Sequence, residues 1–60
     1  MTRSELSKVY ATTGQHIVTE RTATGALLGY RLVDVEGYQT DIRSLRSLER
    51  GAKAILGANS

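Results

Sequence analysis

The sequence predicts an α+β domain: a three-stranded antiparallel sheet packed on a C-terminal helix, with a short helix in front, in the order α-β-β-β-α. Three observations predict it. Between Gln15 and Ile42 apolar residues recur at every second position, the period of a half-buried strand. Beyond Ile42 they recur at every third or fourth, the period of an amphipathic helix. Ahead of both, the run Thr2, Arg3, Ser4, Glu5 has the spacing of a capping box, in which the Thr2 hydroxyl accepts from the amide of residue 5 while Glu5 reaches back.

The first helix is expected over 2–10, with Leu6, Val9 and Tyr10 on one face. Val9, Tyr10, Thr12 and Thr13 suit a strand equally, and Gly14 stops either element. The meander occupies 15–42. Its first strand, 15–22, carries Ile17 and Val18 and meets a turn at Thr24 and Gly25; the second, 27–35, is the most apolar; the third is 38–42. A three-residue loop of Val35, Glu36 and Gly37, with Gly37 in the left-handed position of a bulge, sets Tyr30 opposite Ile42 and Leu32 opposite Thr40. That register gives one apolar face of Leu28, Tyr30, Leu32 and Ile42, whereas a slip of one residue would turn the set outward.

The second helix is expected over 44–56, capped by Ser44 or Ser47, with Leu45, Leu48, Ala52, Ile55 and Leu56 as its apolar stripe. Glu49 stands four before Lys53 as a supporting pair. Gly57 is placed for a left-handed C-terminal cap, and 58–60 reads as a frayed tail. Gly51 costs about 1 kcal/mol against alanine inside a helix, which marks a close approach to the sheet. Both helices cover one sheet face and leave the other open.

Sixty residues form one domain with a small core, and without cysteine no disulfide can reinforce it. One histidine and no cysteine make a structural zinc site a poor fit, and no cofactor motif is present. Oligomerisation, or docking on a partner, becomes the expected extra source of stability, and a homodimer is anticipated, favoured by Leu27, Leu28, Val33 and Val35 on both faces of the second strand. No stretch approaches the ~20 apolar residues of a membrane span, and the first residues lack the apolar core of a secretory signal. A cytoplasmic protein without membrane association is expected.

The net charge of +2 is too small to define a partner, but its distribution is uneven. Residues 1–42 carry four basic and five acidic side chains; from Arg43 onward four basic residues stand against Glu49 alone. Arg43, Arg46, Arg50 and Lys53 therefore form the strongest functional signal, suited to phosphates or to acidic residues of a protein. A solvated helix face carries similar charges without any ligand.

Other candidate chemistry is weaker. His16 is the only histidine, set in an expected strand between Gln15 and Ile17, and reads as a surface or edge residue, with a pH-sensing or catalytic role as the alternative. Asp34, Glu36 and Asp41 match no calcium loop and read as turn charges. Gly25 and Gly29 lack the rest of a phosphate loop and read as a turn and a bulge. Of the three tyrosines, Tyr30 alternates with Leu28 and Leu32 and belongs to the core, while Tyr38, beside the hairpin, suits a surface contact.

The segment VEGYQTDIRSLRSLERGAKAIL, about a third of the chain, resembles the third strand and helix of HicB-like antitoxin domains through Gly37, Thr40, Leu45, Glu49 and Ile55. Glu36 stands where that family has a turn proline. The order of elements is also similar to the double-stranded-RNA-binding fold, without the paired lysines that open its helix, and to the arm-binding domains of tyrosine recombinases. The resemblance implies a small, non-enzymatic regulatory protein that binds a partner protein, antitoxin- or inhibitor-like, with nucleic-acid binding as the alternative. Tyr38, Arg43, Arg46, Arg50 and Lys53 are the expected contact residues, with no catalytic residue and no metal.

Overall fold

The computed structural model describes residues 1–58, in the order α1 (Arg3–Ala11), β1 (His16–Arg21), β2 (Leu27–Val33) and α2 (Leu45–Ala58). The capping box closes as anticipated: the Glu5 amide donates to Thr2 Oγ1 at 3.1 Å, and the Thr2 amide donates to Glu5 Oε1 at 2.9 Å. Two orphan donors of the helix start are thereby satisfied, which decides helix over strand for this segment. The same bonds to Thr2 hold the Glu5 carboxyl below its ordinary range.

The three-stranded sheet is not formed. Among the described residues the sheet has two antiparallel strands, β1 and β2, with Ile17 opposite Leu32 and Thr19 opposite Tyr30. Residues 38–42 follow β2 back without making a ladder; only isolated bridges join Val33 to Gln39 and Tyr30 to Arg43. The first bridge keeps the register predicted from the hairpin, and Gly37 takes the positive φ expected of it. The second is displaced by one residue, and the reason lies at Thr40. Its amide donates to the Leu32 carbonyl at 3.0 Å, but the Leu32 amide turns to the Thr40 hydroxyl at 3.1 Å instead of a backbone carbonyl. The Thr40 carbonyl is taken by Arg31 Nη1 at 2.9 Å. Side chains thus satisfy groups that a strand would pair, and the chain slips between Thr40 and Arg43.

That slip inverts the face of Ile42. Tyr30 now pairs with Arg43, so Ile42 lies on the opposite side of the sheet, against Gly29, and is 42 % exposed. The anticipated apolar face of Leu28, Tyr30, Leu32 and Ile42 reduces to Leu32, buried, and Tyr30, half-buried, with Leu28 exposed. Gly29 has φ +152° beside the register shift at Glu20 and Arg21; a Cβ there would collide with Ile42 and lie 2.9 Å from the Arg43 carbonyl oxygen. Only glycine fits that approach.

The core is Leu6, Tyr10, Leu32, Leu48 and Ala52, with Val9, Ile17, Tyr30, Leu45 and Ile55 packed around it. Leu6 and Leu48 are wholly buried, each worth roughly 1.5–3 kcal/mol in transfer from water. Gly51 does mark a close approach, although the neighbour is a helix residue and not the sheet. The Tyr10 hydroxyl crosses from α1 to donate to the Leu48 carbonyl at 2.8 Å, and a Cβ on Gly51 would strike that hydroxyl. Burial pushes the Tyr10 phenol above its ordinary value, against the opposing pull of the Arg43 charge.

At the far end, Gly57 lies within α2 and has no positive φ, so it is not the expected left-handed cap. Ala58 closes the helix; the rest of the anticipated frayed tail, residues 59 and 60, lies outside the described residues.

Candidate functional site

The basic side of α2 is the most coherent surface. Ser44 starts the helix: the Ser47 amide donates to Ser44 Oγ at 3.1 Å and the Leu48 amide to the Ser44 carbonyl at 3.1 Å. On a helix advancing about 100° per residue, Leu45, Leu48, Ala52 and Ile55 define one direction, and Arg46, Arg50 and Lys53 point roughly 150° away from it. The steps of four and three keep the cations on a stripe about 10 Å long at 1.5 Å per residue. All three are exposed.

None of the three takes part in an ion pair among the described residues. Among the described residues the ion pairs are those of the Met1 amino group with Glu49, at 3.4 Å, and of Arg31 with Glu20, at 3.4 Å. Glu49, expected to pair with Lys53, is engaged by the Met1 amino group instead. Three positive side chains stand on one side of the helix, with Glu49 one turn from Arg46 and from Lys53 at its margin.

Two of the expected contact residues fall outside the stripe. Arg43 precedes the helix and exchanges backbone bonds with Tyr30, 2.9 and 2.7 Å long, which puts its side chain on the helix side of the sheet. It is exposed, and its charge is felt at Tyr10. Tyr38 sits on the turn after β2, held by its amide to Asp34 Oδ1 at 3.0 Å, and is 71 % exposed beside Val35 at 87 %. That Asp34 carboxylate also accepts from the Glu36 amide at 2.9 Å, so it builds the turn instead of coordinating a cation. Tyr38 and Val35 form a second, apolar patch separate from the cations.

The other face of the sheet carries Val18, Glu20 and Arg31, half-buried, and Val33, buried. Arg31 is committed there twice, to Glu20 across the ladder and to the Thr40 carbonyl. Sequence reasoning missed Arg3, whose guanidinium lies 5.6 Å from the Tyr30 ring centroid and whose Nη2 reaches the Ile17 carbonyl at 3.4 Å. No periodicity announces that contact, since it joins α1 to the sheet across fourteen residues.

Among the described residues no group of three or more histidine, cysteine, aspartate or glutamate side chains is placed to hold a metal ion, and no pocket is enclosed. No helix among them is long and apolar enough to cross a membrane. The chain matches no family model, no curated protein and no solved structure.

Proposed function

We propose that this chain is a small regulatory protein, antitoxin- or inhibitor-like, that binds a partner protein through the basic side of α2. One observation carries the reading: Arg46, Arg50 and Lys53 stand exposed and aligned on the side of the helix turned away from the core, in no ion pair among the described residues. Such a stripe suits an acidic surface, because arginine combines contact area with directed donors and is favoured at binding hot spots. The separate patch of Val35 and Tyr38 adds apolar and aromatic area that a protein partner can cover. The lack of cysteine suits the reducing cytoplasm.

Replacing Arg46 and Arg50 together by alanine tests the assignment. Both are exposed, so stability should stay within about 0.5 kcal/mol of the parent. Affinity for the partner recovered from the source cell should fall at least about tenfold, given about 1–2 kcal/mol per arginine anchor. Equal retention of that partner by parent and double variant would remove α2 from the interface.

The same unpaired cations favour nucleic acid as a second reading. Three phosphate contacts predict a log-log salt slope of about −2.7 on duplex DNA. A mobility-shift titration at two salt concentrations separates the readings, since no retention at low salt eliminates the second.

A further inference from the structure

Among the described residues no strand lies beside the outer edge of β1, and the bonding pattern shows which of its groups point outward. Tyr30 and Leu32 direct their amides and carbonyls toward residues 40 and 43, away from β1. In an antiparallel ladder their partners Thr19 and Ile17 must then turn the corresponding groups away from β2. Arg3 confirms the direction by reaching the Ile17 carbonyl from outside, at the long distance of 3.4 Å. The amides of Ile17 and Thr19 and the carbonyl of Thr19 have no hydrogen-bond partner among the described residues. Unpaired edges of this kind are templates for another strand.

We propose that this edge joins two copies of the chain, their β1 strands running antiparallel about a two-fold axis at Val18. The sequence of β1 selects both occupant and register. Pairing about Val18 sets Ile17 opposite Thr19 of the second copy, so the outward amides and carbonyls of both strands meet once Arg3 gives up its long bond to the Ile17 carbonyl. On the other face it sets Val18 against Val18, and His16 against Glu20 twice over. The competing register, centred on Thr19, forms a similar ladder but sets Val18 against Glu20 and loses the polar pairs. A second copy is thus complementary to this edge in backbone and in side chains.

The shape of the chain agrees. Its accessible surface is 4217 Å², against about 3,800 Å² expected for a self-contained protein of 6.5 kDa. Its radius of gyration is 11.7 Å, against about 10.4 Å for a compact chain of sixty residues. The dimer is independent of what α2 binds.

Sedimentation of the full chain over a micromolar concentration series should show a reversible monomer–dimer equilibrium. Thr19→Pro removes an amide that points outward and takes no part in the ladder with β2, so it should abolish the dimer and leave the circular dichroism spectrum unchanged. His16→Asp should weaken the dimer and His16→Lys should tighten it, each by about 2- to 30-fold, because two cross-strand pairs change per dimer. A strict monomer throughout, a folded Thr19→Pro variant that still dimerises, or His16 variants that shift the equilibrium in one direction would each overturn the proposal.

Discussion

The contact between Tyr10 and Gly51 predicts that one substitution changes sign with its background. Gly51→Ala should gain about 1 kcal/mol of helix propensity. In the parent chain the new methyl group meets the Tyr10 hydroxyl and displaces it from the Leu48 carbonyl. A buried hydroxyl left without a partner costs about 1–3 kcal/mol, so the net result is a loss of about 1 kcal/mol. Tyr10→Phe alone should cost about 0.5–1.5 kcal/mol, since the helical carbonyl it leaves keeps its backbone donor. With the hydroxyl removed, the methyl group lies 3.6 Å from the remaining ring carbon at the former Cζ, an ordinary contact, and Gly51→Ala should now stabilise by about 1 kcal/mol. The coupling is therefore about 2 kcal/mol, or a swing in melting temperature of about 8–16 °C in a domain this size. Urea and thermal denaturation of the four proteins in the cycle measure it. Additivity within about 0.5 kcal/mol, or a stabilising Gly51→Ala in the parent, would refute the steric argument.

Tyr10 also predicts an alkaline dependence. Its raised folded value means that its contribution is fully present below the ordinary phenol value of 10.0 and is lost as pH rises through the folded value. As pH rises from 10.0 through the folded value, stability should decline more steeply in the parent than in Tyr10→Phe; parallel declines would show that the buried phenol is not responsible. Thr40→Val should leave the Leu32 amide without an acceptor, cost about 1–3 kcal/mol and speed hydrogen exchange at Leu32. Unchanged protection at Leu32 would mean that another group takes the bond.

What could be read from the sequence was local. The capping box at Thr2 and Glu5 involves four successive residues, and the Gly37 turn involves few more, so neither depends on the remainder of the fold. The stripe of Arg46, Arg50 and Lys53 follows from the helical period once α2 exists. The failures required contacts distant in sequence. Alternation through Ile42 suggested a third strand, but the Thr40 hydroxyl and the Arg31 guanidinium competed successfully for ladder positions, and neither preference appears in a hydrophobic pattern. The same one-residue slip settled which side of the sheet Arg43 occupies. Gly51 was legible as a close approach, while the neighbour that requires it, Tyr10, is 41 residues away.

The irregular return of residues 38–43 has a consequence for stoichiometry. A regular third strand would have given the sheet two usable margins, and a sheet with two such margins can add copies without end. Here one margin is the outer side of β1, and the other is the return of residues 38–43, whose register against β2 shifts by one residue. If the edge of β1 pairs two copies as proposed, the irregular return offers no regular strand on which a further copy could add, so the expected assembly is a closed pair and not a filament.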